Sequence, residues 1–347
     1  MNFYNNIHPY YCGIDLHARS LYVCIIDQQG KTCLHKNISA NPDRLHELLT
    51  PYIGNIVVGV ECMHCWYWVA DFCRDLGVDF ILGHALYMKA IHGGKAKNDR
   101  IDSFKIATLI RGGNFPLAYV YPKAMRATRD LLRRRTKIVR HGAQLKAHVV
   151  NTTSQYNLPY NKLNFNHANA RDQIRQTFSD PVVQRNMDFD MTLLDCYVQE
   201  LKKVESYIGQ QAKQHNPKHL RLLKSISGIG PILSLTIIYE IGNINRFASV
   251  QKFASYSRLV KCKAESAGKS YGTQGNKIGN AHLKWAFSEA AVLHLRGNEK
   301  VKRYLIKLQK RMTKAKALSV LAHKLGRCVY FMLKNETVFD EDRFLRS

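Results

Sequence analysis

The chain has 347 residues, 46% hydrophobic and 22% charged, and its 52 Lys+Arg against 26 Asp+Glu leave a formal charge of +26 with a pI near 9.8. So basic a balance argues against an ordinary neutral metabolic enzyme, and so apolar a chain is no disordered basic tail; the length suits about two to three domains. No run of about 18 uncharged apolar residues occurs and the N-terminus lacks a basic-then-apolar leader, so a soluble cytoplasmic protein is expected.

In chain order, residues 11–15 (YCGID), 21–26 (LYVCII) and 32–35, with a turn at Asp27-Gln28-Gln29-Gly30, read as a three-stranded meander. A helix is expected at 42–52, a buried strand at 56–61 (IVVGVE), a helix at 65–76, a second buried strand at 78–82 and a helix at 102–111. A meander followed by alternating helix and strand is an α/β domain with a mixed sheet. A long basic helix is expected over 123–150, an irregular Asn-rich stretch over 151–169, and a polar helix over 187–211 that reads as an exposed hairpin or coiled-coil arm. The remainder is mainly helical, at 222–229, 232–241, 247–259, 282–296 and 301–333, interrupted by a Gly/Lys/Ser-rich loop at 261–279. The nine Cys are an odd number scattered through apolar runs, which reads as reduced core thiols rather than a disulfide framework.

The charge is unevenly placed. Residues 1–122 hold 11 Lys+Arg against 10 Asp+Glu, and residues 123–347 hold 41 against 16. A polyanion is the partner such a second part suits best, because phosphate neutralisation with counterion release supplies sequence-independent nucleic-acid affinity. A basic surface without a partner and an anionic membrane are the other readings, but no terminal amphipathic helix rich in Trp supports a membrane. On the basic helix, Arg126, Arg129, Arg133, Arg134, Arg135 and Arg140 are candidates to clamp phosphates, a solvated face being the alternative.

Two constellations point to chemistry. Asp15 and Glu61 each end an apolar strand, where an unpaired carboxylate is expensive, and Asp99 and Asp102 stand at the start of a helix. Such strand ends and helix starts meet at one edge of an open α/β sheet, and converging carboxylates are relieved by a divalent cation of the kind that serves phosphoryl transfer. Singly, each is also explained as a cap, a surface pair or a helix-dipole acid. The second constellation, KCKAESAGKSYG at 261–272, sets Ser266 among small residues with Lys261, Lys263 and Lys269. Small neighbours admit a phosphodiester and lysines stabilise the anion, as a serine attacking phosphorus requires. A phosphate-binding surface loop with no nucleophile is the other reading of the same residues.

GID at 13–15, VGVE at 58–61, KNDRID at 97–102, SGIGP at 227–231 and ESAGK at 265–269, in that order, resemble the DEDD transposases of bacterial insertion sequences, a family that includes Piv-type DNA invertases and bridge-RNA-guided recombinases. The resemblance implies an N-terminal RuvC-like (RNase H-like) domain over 1–155 that includes the basic helix, a linker and coiled-coil arm over 156–216, and a mainly helical transposase domain over 217–347. It places a catalytic, metal-binding tetrad on Asp15, Glu61, Asp99 and Asp102 and a nucleophile on Ser266. It implies Mg²⁺, a 5′-phosphoserine intermediate, a site completed across subunits, element-end and target DNA, a structured guide RNA, and a dimer assembling into a tetramer associated with the nucleoid. The family's loop usually reads Ser-Ser-Gly-Gly-Lys; here Glu265 replaces the first Ser and Ala267 a Gly, so Glu265 is either a local base or a tolerated change.

SGIGP also fits a helix-hairpin-helix turn, in which Gly228 and Gly230 expose backbone N–H groups to phosphate, against the alternative of a plain tight turn. Two lesser signals complete the reading. CMHC at 62–65 has no second half to make a zinc site. His17, two residues past Asp15, either orients a metal-bound water or is an ordinary surface histidine.

Overall fold

The structure is a computed structural model that describes residues 2–91, 98–158, 165, 167–212, 216–274 and 278–346. The chain forms two compact units, Met1–Lys123 and Ala124–Ser347.

In the first unit the meander consists of β1 (Tyr10–Leu16), β2 (Ser20–Asp27) and β3 (Thr32–Ser39). The Asp27 carboxylate accepts from the amides of Gln29 and Lys31, and Gly30 adopts φ +87°, so the turn residues read from sequence do form the reversal. α1 (Pro42–Leu49) is capped by the Asn41 side chain and ends earlier than expected, because Thr50–Tyr52 tightens into a 3-10 turn. β4 (Ile56–Glu61), α2 (Trp66–Asp75), β5 (Asp79–Gly83), α3 (Ala85–Ile91), α4 (Asp99–Arg111) and the two-residue β6 (Leu117–Ala118) follow. The sheet runs β3-β2-β1-β4-β5-β6, with β1, β4 and β5 mutually parallel and the other pairings antiparallel. This mixed α/β architecture is compatible with an RNase H-like domain.

Alternation along the strands sends Cys12, Ile14, Leu16, Val58 and Val60 to a face covered by α1 and α2. Tyr11, Val57 and Ile81 face the opposite way, where α3 and α4 add Met88, Ile106, Ala107 and Ile110.

The second unit begins with two long helices, α5 (Lys123–Gln155) and α7 (Pro181–Ala212), separated by the short α6 (Ala168–Arg175). Arg135 bonds Glu205, Gly142 faces Leu194, and His148 meets Asp190, so the partner's number falls as the residue number rises: the two helices are antiparallel. The arm expected from residues 187–211 is thus a helical hairpin whose other half is the basic helix. Its distal end is closed by Val149, Phe165, Ile174, Phe178, Met187 and Met191. Five residues expected to be irregular, Asn151 to Gln155, continue α5; residues 159–164 and 166 of that stretch lie outside the described residues.

The rest comprises α8 (Pro217–Lys224), α9 (Pro231–Ile241), α10 (Val250–Tyr256), β7 (Cys262–Ser266), β8 (Lys269–Gln274), α11 (Ala281–Leu293), α12 (Glu299–Gln309), α13 (Lys314–Asn335) and α14 (Glu341–Arg346). α9 is buried from Leu233 to Ile241 and forms the centre of a core shared with α8, α11 and α13. Two expectations are corrected. The helix expected over 301–333 is two helices, since the Thr313 side chain caps a new start by accepting from the Lys316 amide. The loop expected at 261–279 contains a two-stranded hairpin, β7 with β8, and its residues 275–277 lie outside the described residues. Eight described cysteines are free thiols, and burial pushes Cys73 up to about 12. Among the described residues no helix is long and apolar enough to cross a membrane.

Candidate functional site

Gly13 of β1 and Gly59 of β4 are register partners, and α4 lies directly over them. A Cβ at Gly13 would stand 2.3 Å from the Ser103 carbonyl oxygen and 2.4 Å from the Ala107 amide nitrogen; one at Gly59 would stand 2.4 Å from Ile110 Cδ1. The missing side chains form the seat that lets α4 rest on bare strand backbone. Two residues beyond each glycine, and therefore on the same face, come Asp15 and Glu61 at the C-terminal ends of parallel strands. Pairing of Ile14 with Val60 sets them level, on strands roughly 4.8 Å apart. α4 contributes Asp99 and Asp102 in its first turn, capped by Asn98, whose side chain accepts from the Ile101 amide at 2.8 Å. Lys97 of the KNDRID motif lies outside the described residues. From β3, His35 Nε2 lies 3.0 Å from the Arg100 carbonyl oxygen and 3.1 Å from Ser103 Oγ, which ties that first turn to the sheet.

Around Asp15, the structure gathers a tighter group than the four acids expected. His17 Nε2 is 3.4 Å from Asp15 Oδ2 and 3.6 Å from Asp99 Oδ1, and the three residues offer ligand atoms within 4.8 Å of one another, an arrangement able to hold a metal ion. Burial raises the Asp15 carboxyl above its ordinary range; His17 opposes that rise, and the neighbouring charges of Asp99 and Asp102 add to it. Asp102 also pairs with Lys105 at 3.6 Å. Glu61 and Asp102 flank the Asp15–His17–Asp99 group rather than joining it. Cys62 and Cys65 belong to no such group among the described residues.

The second unit holds the remaining candidates. Ser266 ends β7 and pairs with Lys269 across a two-residue turn, Ala267 at φ +49° and Gly268 at φ +73°. Two successive positive φ values are the mark of a type I′ hairpin turn, so the serine's backbone stands at the hairpin's tip with Lys269 opposite and Lys263 farther down the same strand. Glu265 pairs with Ser270 and is exposed. The base of the hairpin is anchored: Arg258 Nε donates to the Ile278 carbonyl at 3.0 Å and the Asn280 amide to that of Tyr256 at 2.6 Å.

At the SGIGP turn Gly228 takes φ +87°, with the His294 amide nitrogen only 2.5 Å from where a Cβ would sit, while Gly230 has open space before it and caps α9. His294, fully buried, donates from Nδ1 to the Ser227 carbonyl at 2.7 Å. Together with Lys224 and Arg296 the turn lines a shallow depression of about 460 Å³.

The basic helix divides its arginines. Arg129 Nη2 lies 3.1 Å from Glu240 Oε2, Arg133 grips both Glu240 oxygens at 2.6 and 2.9 Å, Arg135 pairs with Glu205, and Arg126 is buried. Only Arg134 and Arg140 of the six candidates are exposed, with Lys137 on the same helix. Of these placements, the glycine seat and the tie from His35 were not read from the sequence, GxD and GxE at two strand ends being the signal for the first; His17, read there as orienting a metal-bound water or as a surface histidine, stands beside Asp15 and Asp99.

Two family models match the chain. One, for a DEDD transposase of the IS110 type described simply as a transposase, covers residues 12–157; the other, the transposase IS116/IS110/IS902 family, covers residues 220–305. No curated protein matches it. The first span contains all four carboxylates, and the second contains the glycine turn and the serine hairpin.

Proposed function

The chain belongs to the DEDD insertion-sequence transposases of the IS116/IS110/IS902 family, and on that premise we propose that it cuts and rejoins DNA by phosphoryl transfer, with Ser266 as nucleophile and a divalent cation, Mg²⁺, held by Asp15, Glu61, Asp99 and Asp102. The observation that supports this reading is the seating of α4 on Gly13 and Gly59, which sets the helix start carrying Asp99 and Asp102 beside Asp15 at the end of β1. The donor set fits such an ion. Burial and the charges of Asp99 and Asp102 raise the Asp15 carboxyl, although His17 opposes them; that excess of negative charge is what a bound cation neutralises. When bound, the ion supplies Lewis-acid stabilisation of the oxygens entering and leaving phosphorus.

The chain's own groups do the rest. The Ser266 oxygen attacks phosphorus, its bond to phosphorus forming as the bond to the 3′ oxygen breaks; the serine proton passes to solvent, and the 3′ oxygen takes up a proton to leave as a hydroxyl. The 5′-phosphoserine ester retains the energy of the broken linkage, and attack by a 3′-hydroxyl reverses the step and joins a new strand. Lys263 and Lys269 stabilise the anion from the hairpin, Arg134 and Arg140 hold backbone phosphates from α5, and the backbone N–H groups of Gly228 and Gly230 position duplex without reading its sequence. The protein acts in the bacterial cytoplasm at the nucleoid, as a homodimer assembling into a tetramer, with a structured guide RNA choosing the DNA.

The test is incubation of the full chain with Mg²⁺, element-end DNA and the flanking non-coding RNA, followed by a denaturing gel and mass spectrometry. A DNA–peptide adduct at Ser266 that disappears in Ser266→Ala and in Asp102→Ala is expected. Cleaved DNA without an adduct would make the protein a RuvC-like nuclease using water, and bound but intact DNA would make it a binding protein.

A further inference from the structure

Resting on the metal-binding part of that reading, we propose that His17 is itself a ligand of the ion, its Nε2 joining Asp15 and Asp99 in a mixed nitrogen–oxygen set that favours Mn²⁺ over Mg²⁺. The imidazole is not a bystander on the surface. Its backbone amide donates to the Ser20 carbonyl at 3.0 Å, which fixes the reversal between β1 and β2, and its side chain remains about half exposed at 45%. From there Nε2 reaches 3.4 Å from one carboxylate and 3.6 Å from the other. A six-coordinate ion with bonds of about 2.1 Å holds adjacent ligand atoms about 3 Å apart, so Nε2 needs to close on each carboxylate by only about half an ångström.

Chemistry then sets the preference. Mg²⁺ selects oxygen donors and gives up its waters reluctantly, whereas first-row transition ions take imidazole nitrogen more readily, and Mn²⁺ is the one of them that shares the octahedral carboxylate sites of Mg²⁺. Glu61, level with Asp15 on β4, and Asp102, one turn along α4, stand beside the group as further oxygen donors. One nitrogen among oxygens therefore tilts the site toward Mn²⁺ without excluding Mg²⁺.

The experiment adds Mn²⁺ alone to the full chain, counts the bound ion by electron paramagnetic resonance and looks for nitrogen modulation in pulsed spectra. The expected result is an imidazole ¹⁴N signal from bound Mn²⁺, lost in both His17→Gln and His17→Asn. Those variants should bind Mn²⁺ about tenfold more weakly and show a smaller Mn²⁺-over-Mg²⁺ ratio in competition, with unchanged circular dichroism. Bound Mn²⁺ that Asp15→Asn releases but that shows no nitrogen signal, or a signal that survives both His17 variants, overturns the role of His17 and leaves the carboxylate site standing. Failure of the wild-type chain to bind Mn²⁺ at all overturns both.

Discussion

Gly13 and Asp15 illustrate how a residue with no side chain governs one with a reactive side chain. The atoms that a Cβ at Gly13 would strike, the Ser103 carbonyl oxygen and the Ala107 amide nitrogen, are backbone of α4 and cannot rotate away. Gly13→Ala must therefore push the helix off the sheet, taking Asp99 and Asp102 from Asp15. Overpacking of this kind costs about 2 kcal/mol, which a lowered urea midpoint would report. At Gly59 the first atom met is Ile110 Cδ1, the end of a flexible side chain, so Gly59→Ala should cost less. Equal losses for the two variants, or none at Gly13, would show that α4 does not depend on the bare strand. The identity of Asp15 and Glu61 as site candidates was legible because a carboxylate ending an apolar strand demands a reason. The glycines two residues earlier were not, because their requirement comes from a helix about 90 positions beyond Gly13 and about 50 beyond Gly59.

Among the elements, α5, α9 and α11 are joined at one buried point, the Glu240 carboxylate, which is 2% exposed and takes hydrogen bonds from Arg129, Arg133 and Asn280. Glu240→Ala strands two guanidinium groups against the core and should cost about 3–5 kcal/mol, whereas Glu240→Gln, which retains hydrogen-bond acceptance, should cost less. Burial tends to raise the Glu240 carboxyl, but hydrogen bonding and charge from Arg133, the charge of Arg129 and the Asn280 contact outweigh it and hold the group below its ordinary value of 4.5. A depressed folded-state value means that this stabilisation is fully present above 4.5 and is lost as pH falls through the folded value. The stability gap between wild type and Glu240→Gln, followed by urea unfolding, should accordingly narrow on acidification below that range; a gap that persists there would mean the carboxylate is not the source. None of this was visible in a basic helix read by itself, since the acid lies more than a hundred residues away in sequence. The same limit explains the other departures. Strands β1, β2 and β4 announce themselves by apolar runs and by the Asp27-Gln28-Gln29-Gly30 turn after β2, but an apolar period runs unbroken through the Thr313 cap, and Ala267-Gly268 lacks the Asn-Gly or Asp-Gly signature that marks a type I′ turn.

At the scale of the molecule, charge and chemistry are divided between the units. The first carries the clustered acids and is nearly neutral up to Pro122, while the 41 Lys+Arg against 16 Asp+Glu beyond it supply the field that gathers a polyanion. Part of that excess is internal, because Arg129 and Arg133 close on Glu240 and Arg135 on Glu205. The cations of α5 free to meet phosphate are then few, and the salt dependence of binding counts them. Each phosphate contact to duplex DNA contributes about 0.9 to the slope of log affinity against log salt concentration. Replacing both Arg134 and Arg140 with Ala should flatten that slope by about 1.8 and weaken binding to unrelated duplexes alike, leaving the unfolding midpoint within about 0.5 kcal/mol of wild type. Arg133→Ala should do the reverse, lowering stability by leaving the buried Glu240 carboxylate with only Arg129 as its cationic partner, while leaving the slope as it was. A slope unchanged in the double variant would take the exposed face of α5 off the path of the DNA and assign phosphate binding to the lysines of the serine hairpin and the glycine turn between α8 and α9.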